Sequence, residues 1–147
     1  MKLMVINGPN LNLLGKRDKS IYGEMTLAHI EAKILEKAKE SSTDVIFFQS
    51  NHEGHIVDYI QENANECSGI IINPGALTHY GLSIRDALAD AKLPTVEIHL
   101  SNRYAREEFR HESVIAPICN GQIGGLGWHG YILALEYLVD LVGSVNY

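Results

Sequence analysis

Asn10, Asn12, Arg17 and Tyr22 crowd a single loop that leaves an apolar run and reads Asn7-Gly8-Pro9-Asn10-Leu11-Asn12-Leu13-Leu14-Gly15-Lys16-Arg17, then Ile21-Tyr22-Gly23. An Asn side chain donates and accepts without ionising, so Asn10 and Asn12 suit a neutral polar group or a developing oxyanion. Arg17 stands five positions before Tyr22, near enough for its guanidinium to lie beside the phenol. A positive neighbour favours the ionised form of an acid, which makes Tyr22 a candidate base. For the loop in isolation the competing reading is a polar turn edged by an amphipathic Tyr.

Elements that would position such a loop recur along the chain. Residues 3–6, 45–48 and 70–72 are continuous apolar runs, the pattern of strands buried on both faces, and Thr95-Val96-Glu97-Ile98 reads as a fourth strand. A fifth run, 114–118, reads as a short strand. Between them lie helical stretches: one capped by Thr26 with Leu27, Ile30, Ile34 and Leu35 on one face, then 56–64, 82–91 and a final helix over 131–142 that is apolar on nearly every side. One strand per helix predicts an α/β doubly wound parallel sheet, with ligands at the carboxyl ends of the strands. Each of those ends is polar. Asn7, Asn10, Arg17 and Tyr22 follow the first strand, and Gln49, Ser50, Asn51, His52 and Glu53 the second. Asn73, Gly75, Thr78 and His79 follow the third, and His99, Ser101, Asn102, Arg103, Arg106 and Arg110 the fourth. Four polar loops on one edge are expected to converge on a shared cleft.

Composition bounds the function. A chain of 147 residues, 46% hydrophobic, suits one domain spanning 1–147. A net charge of −6 argues against nucleic acid, which requires clustered Lys and Arg. A few Arg in a cleft still suffice for a small anion. Cys67 and Cys119 have no metal spacing and read as free thiols in a reducing cytosol. No signal peptide is expected, and no apolar run reaches the roughly 18 residues of a membrane span. The expectation is a cytoplasmic protein without membrane or nucleic-acid partners.

Several motifs resemble sites that their context argues against. Gly125-Leu126-Gly127-Trp128-His129-Gly130 has the GxGxxG letters, but it precedes the last helix rather than opening the first βαβ unit; these glycines are expected to shape a turn. His52-Glu53-Gly54-His55 spaces its histidines by three rather than four, a poor zinc helix. A phosphoacceptor receiver needs acids where Asn7 and Asn73 stand. An FMN site needs a Ser/Thr-rich loop after the first strand. Lys16 and Lys19 lie on a loop without the burial that activates a Schiff-base lysine.

Taken in order, Asn7-Gly8-Pro9-Asn10-Leu11, Leu14-Gly15, Arg17, Tyr22-Gly23, Gln49-Ser50-Asn51, Glu53-Gly54, Asn73-Pro74-Gly75-Ala76, Thr78-His79 and Leu82-Ser83-Ile84-Arg85-Asp86-Ala87 form an ordered set of motifs. It continues through Glu97-Ile98-His99-Leu100-Ser101-Asn102, Arg106-Glu107-Glu108-Phe109-Arg110 and Gly125-Leu126-Gly127. The chain resembles type II 3-dehydroquinate dehydratase over essentially its whole length. That resemblance implies a flavodoxin-like, five-stranded sheet and dehydration of 3-dehydroquinate in the shikimate pathway, without metal or cofactor. It implies Tyr22 as base with Arg17 beside it, Asn10 at the enolate and His99 as general acid. It implies Asn73, His79, Ser101 and Arg110 as substrate ligands, with backbone amides at Leu100 and Ser101 helping to hold the carboxylate. It further implies a dodecamer built as a tetramer of trimers, in which Asp86 of a neighbouring subunit reaches the site. The chain departs from the family where Asp18-Lys19 replaces a frequent Glu-Pro, a change expected to loosen the loop.

Single residues have plainer readings as well. His99 and His79 would serve as structural histidines, and Arg106 and Arg110 as a solvated face among Glu107 and Glu108. Glu53 either structures its turn or positions an Arg. His29, His55, His111 and His129 read as surface or packing residues. The last helix offers Ile132, Leu133, Leu135, Leu138, Val139, Leu141 and Val142, more apolar surface than one sheet face covers, which predicts partner contacts. A module that binds a small polyol acid without turning it over is the alternative to an enzyme. It would have no use for Tyr22, Arg17 and His99 together.

Overall fold

The strand assignments 3–6, 45–48, 70–72 and 95–98 each fall within a strand of the computed structural model, which describes residues 1–144. The last three residues of the 1–147 span lie outside the described residues. The strands are β1 Lys2–Asn7, β2 Asp44–Gln49, β3 Gly69–Asn73, β4 Thr95–His99 and β5 Gly121–Gly124, all parallel, in the order β2-β1-β3-β4-β5. The helices are α1 Lys19–Tyr22, α2 Leu27–Glu40, α3 Glu53–Asn63, α4 Leu82–Ala91 and α5 His129–Ser144.

Successive strand side chains point to opposite faces, and β1 supplies both cores. Leu3 and Val5 join Ile30, Ile34, Leu135 and Leu138 beneath α2 and α5. Met4 and Ile6 join Ile56, Ile60, Ile84 and Leu88 beneath α3 and α4. Thr26 caps α2 as its sequence position predicts. His29 completes the capping box: its N–H donates to Thr26 Oγ1 at 3.2 Å, and its Nδ1 accepts the Thr26 N–H at 3.4 Å.

The fifth strand lies elsewhere than its apolar run suggests. Residues 114–118 are not extended; Ala116–Ile118 is a 3-10 turn. Pro117 lacks the N–H that a ladder needs, and Ile115 is fully buried in the α3/α4 core with Val114 and Ile118 packed against it. β5 is instead Gly-Gln-Ile-Gly, a mostly exposed edge strand with one apolar residue to mark it. Beyond it Gly125 (φ 87°) and Gly127 (φ 58°) turn the chain into α5. A Cβ on Gly125 would lie 3.0 Å from Asn102 Cβ, so the GxGxxG letters describe a tight crossing and turn. On α5 Leu135 and Leu138 are buried, whereas Leu133 and Tyr137 stand exposed. No helix among the described residues is long and apolar enough to cross a membrane.

The chain passes from β1 outward to β2 and then returns to the other side of β1 with β3. Ligands bind at such a switch point, and there the register places Asn7 beside Asn73.

Candidate active site

The floor of the site is a crossing of the β1 and β3 loops. Gly8 donates its N–H to the Asn73 carbonyl at 2.8 Å, and a Cβ at Gly8 would collide with the Pro74 carbonyl. Gly75 holds φ 59°, and a Cβ there would meet the Pro9 carbonyl at 3.0 Å. Both positions require glycine. Beneath the crossing, Tyr131 of α5 donates its hydroxyl to Asn7 Oδ1 at 2.6 Å and accepts from Asn73 Nδ2 at 3.0 Å. Asn73 Oδ1 in turn accepts the Gly75 N–H at 3.2 Å, which leaves the second Nδ2 hydrogen of Asn73 for a ligand. Asn10 adopts a left-handed backbone (φ 70°), tolerable for Asn, and its N–H is held by Asn51 Oδ1 at 3.0 Å.

At the end of β4, His99 Nε2 lies 2.6 Å from Glu97 Oε2. Glu97 also accepts the Thr78 hydroxyl at 2.8 Å and the Ser113 hydroxyl at 2.6 Å, and Arg103 Nη2 stands 4.0 Å away. Burial alone would raise the Glu97 carboxyl. The His99 hydrogen bond and charge, with the two hydroxyls, outweigh that and hold it below the ordinary carboxylate value. Burial pushes the His99 imidazole below its ordinary value, only partly offset by the hydrogen bond and charge of Glu97. The pair therefore rests as a carboxylate and a neutral imidazole.

Tyr22 ends α1, a four-residue helix between Gly15 (φ 91°) and Gly23 (φ 81°). Asp18 caps it, with Oδ1 accepting the Ser20 N–H at 3.0 Å and the Ser20 hydroxyl at 2.6 Å. Those two bonds hold the exposed Asp18 carboxyl below its ordinary value. Where the missing proline predicts a looser loop, Asp18 supplies an N-cap. The Arg17 guanidinium lies 3.7 Å from the centre of the Tyr22 ring, stacked on its face. The phenol oxygen is engaged by a different residue: Arg106 Nη2 donates to it at 3.0 Å, while Arg106 Nη1 donates to Ser101 Oγ at 3.1 Å.

Groups from these segments line one cleft, together with Pro9, Leu11, Gly75, Ala76 and Leu100. Asn10, Arg17, Tyr22, Asn73, His79, His99, Ser101, Arg103, Arg106 and Arg110 all reach it. His79 is oriented by a 2.7 Å contact from Nδ1 to the Glu112 carbonyl. Arg110 donates from Nε to Glu107 at 3.0 Å, so it makes the surface ion pair of its plainer reading and lines the cleft as well. Arg103 is buried beneath, donating to the Arg110 carbonyl and to Gln122 Oε1, each at 2.8 Å.

The convergence involves three loops rather than four. Gln49, Ser50, Asn51, His52 and Glu53 do not line the cleft. Gln49 donates to the Gly8 carbonyl at 3.2 Å and Asn51 holds Asn10, so the β2 loop braces the β1 loop from behind. Glu53 Oε1 accepts the N–H groups of Ser83 and Ile84 at 3.1 and 3.4 Å. It caps α4, whose own N-cap, Gly81, has no side chain to do so. Thr78 is buried behind His99 on Glu97. Asp86 is exposed on α4 and does not line the cleft of its own chain. Arg103 and Arg106 were expected at the cleft only as members of the fourth polar loop, without a role, and Glu97 was given no place in the site. The available signal was Glu97 itself, an acid in mid-strand two residues before His99, since a fully buried carboxylate is rare unless paired.

A phenol between two guanidinium groups and a carboxylate-backed imidazole, in a cleft rich in Arg, equip this fold for acid–base chemistry on a small anion. The protein is thus an α/β enzyme of the flavodoxin-like type. Residues 1–139 match the family model described as Dehydroquinase class II, and the chain belongs to that family. It is 55% identical over 144 residues to a 3-dehydroquinate dehydratase of Roseiflexus castenholzii, covering 98% of this chain and 92% of that protein. It is 52% identical over 141 residues to one of Bacillus subtilis, covering 96% and 95%. The crystal structure of a type II dehydroquinase from Butyrivibrio crossotus superposes with a TM-score of 0.92 at 53% identity, over 94% of this chain and 97% of that one.

Proposed function

We propose that the chain is a single catalytic domain that dehydrates 3-dehydroquinate to 3-dehydroshikimate in the shikimate pathway, in the cytoplasm, using side chains alone. The observation that carries the reading is the Tyr22 hydroxyl, hydrogen-bonded by Arg106 and stacked by Arg17, in the same cleft as the Glu97-backed His99.

Two guanidinium groups stabilise negative charge on the phenol oxygen. Tyr22 as phenolate removes the proton α to the ketone, and the electrons pass onto the carbonyl oxygen as an enolate. Asn10 stabilises that oxygen through an ordered water. The acid is His99 as imidazolium, formed when the bare Nδ1 of the resting ring takes up a proton from solvent beside the Glu97 carboxylate. As the enolate collapses, the β C–O bond breaks and the hydroxyl leaves as water with that proton. The ring left behind is the neutral imidazole that Glu97 already holds through Nε2. Return of the Tyr22 proton to solvent and reprotonation of His99 reset the site. Arg110 and the Leu100 and Ser101 amides bind the carboxylate, and Asn73, His79 and the Ser101 hydroxyl bind the ring hydroxyls. The exposed apolar residues of α5 and the exposure of Asp86 fit assembly into a tetramer of trimers, with Asp86 completing a neighbour's site.

An ultraviolet time course with 3-dehydroquinate tests the reading, run beside borohydride-treated protein. Growth of the conjugated-enone signal that survives borohydride supports a lyase without a lysine imine. A flat trace despite substrate binding would leave a silent binding module. Light scattering tests the assembly, and a monomer at working concentration would rule out the shared site.

A further inference from the structure

We propose that Thr78 and Ser113 are positioning residues, whose two hydroxyls hold Glu97 as a carboxylate and thereby fix His99 as the Nε2–H tautomer with Nδ1 offered to the cleft. The inference rests on the acid role given to His99 above and deepens it.

Ser113 Oγ accepts the Ile115 and Ala116 N–H groups at 3.1 and 2.9 Å, which occupies both of its lone pairs. Only its hydroxyl proton remains, and that faces Glu97 Oε1 at 2.6 Å. Ser113 therefore cannot also accept from Thr78, 3.1 Å away. The Thr78 proton is left for Glu97 Oε2 at 2.8 Å. Each carboxylate oxygen thus receives a hydroxyl, and Oε2 faces His99 Nε2 as well.

Two other arrangements satisfy these distances: the imidazolium that acts as the acid, disfavoured at rest by burial, and a protonated Oε2 donating to Nε2, with the ring proton moved to Nδ1. Two hydroxyl donations and the Arg103 guanidinium at 4.0 Å favour the charged carboxylate instead, and the lowered Glu97 value agrees. The remaining ionisable neighbours do not change the balance. Arg103 and His79 both disfavour an added charge on His99. The Cys119 thiol is pushed up to about 12, by burial first and then by the Glu97 charge, so it stays neutral. Arg106 and Arg110 lie in the cleft itself.

The consequence for the reaction is economy of motion. When imidazolium gives up its Nδ1 proton, the tautomer that remains is the one the network already fixes. The strap is built from two distant segments, since the Thr78 carbonyl also accepts the Val114 N–H at 2.8 Å.

The test is nitrogen NMR of protein labelled in its histidines at neutral pH, with His99 assigned by the loss of its signals in His99→Ala, alongside kcat and KM against pH. The wild type is expected to show Nε2–H and a bare Nδ1. In Ser113→Ala and Thr78→Val, Nδ1–H is expected to mix in, the His99-dependent limb of the kcat profile to move, and kcat to fall roughly tenfold, part of what positioned proton transfer supplies. KM should hold, and Thr78→Ser should restore both readouts. A wild-type His99 carrying its proton on Nδ1 would overturn the proposal whether or not the variants fold. Folded variants with an unmoved tautomer and pH profile would also overturn it. An inactive wild type that nonetheless shows Nε2–H would support the network and remove the dehydratase reading alone.

Discussion

Arg106 Nη2 donates to the Tyr22 hydroxyl at 3.0 Å while Nη1 of the same guanidinium donates to the Ser101 hydroxyl at 3.1 Å. One side chain therefore ties the helix bearing the phenol to the loop after β4. A lysine cannot span two such acceptors, because its charge is a point rather than a planar fork. Arg106→Lys is expected to lower kcat about a hundredfold, within the range for losing one donor at a developing charge. Steady-state rates at the enone absorbance check this.

Tyr22→Phe removes the hydroxyl proposed as the base and leaves the ring for Arg17 to stack on. Turnover should fall by about 10³, within the range for a positioned acid or base. Binding of product, measured by calorimetry, should change only a few-fold. Near-normal turnover in Tyr22→Phe would eliminate a phenolate mechanism.

Acid should destabilise the fold through the Glu97–His99 pair. Glu97 is lowered from an ordinary 4.5, so its contribution is present above that value and is lost as pH falls through the folded value. His99 is lowered from an ordinary 6.5. Below 6.5 the unfolded chain therefore takes up a proton that the native ring resists, and stability again falls with pH. The thermal unfolding midpoint should fall steadily from pH 6.5 downward, and His99→Asn should flatten the upper part of that slope. A wild-type slope of the opposite sign would contradict the burial of the pair.

Glu53→Ala removes the cap on α4 without touching the cleft. It should cost about 1 kcal/mol in urea unfolding, as losing an N-cap typically does, with kcat unchanged. A collapse of kcat would return Glu53 to the role of positioning an Arg.

Tyr131→Phe strips the hydroxyl that joins Asn7 to Asn73. A buried pair left short of a partner costs about 1–3 kcal/mol, readable as a drop in unfolding midpoint. Because Asn73 loses its brace, KM should rise more than kcat falls.

The first three strands were legible because a strand covered on both faces must be a run of apolar residues, as Ile70-Ile71-Ile72 is, and the β-branched Thr95, Val96 and Ile98 marked the fourth despite Glu97. β5 was not, because an exposed edge needs only Ile123 to touch the core, whereas the apolar run 114–118 fills the α3/α4 core from a turn. Tyr22, Arg17 and His99 could be singled out by chemical type and by place at strand ends. The partner of the phenol could not be read the same way. Arg106 is separated from Tyr22 by most of the chain, and its nearest neighbours in sequence, Glu107 and Glu108, offer it an ordinary surface role. Thr78 was placed only among the polar residues after the third strand and Ser113 was not singled out, since a hydroxyl's place in such a network depends on which proton it has left to give. Glu53 and Asn51 were placed correctly at a strand end, but that end lies on the edge strand β2, behind the cleft.

The crossing of Gly8 over the Pro74 carbonyl divides the enzyme into a part that cannot be altered and a part that can. No atom can be added at Gly8 without parting the loops that carry Asn10 and Asn73, so the floor of the cleft is closed to redesign. Arg17, Asp18 and Tyr22, by contrast, hang between two glycines on a segment that holds a single turn of helix. An engineer seeking a new substrate should vary that turn and the arginine-bearing segment facing it, and treat the β1–β3 crossing as the fixed datum from which every other distance is set.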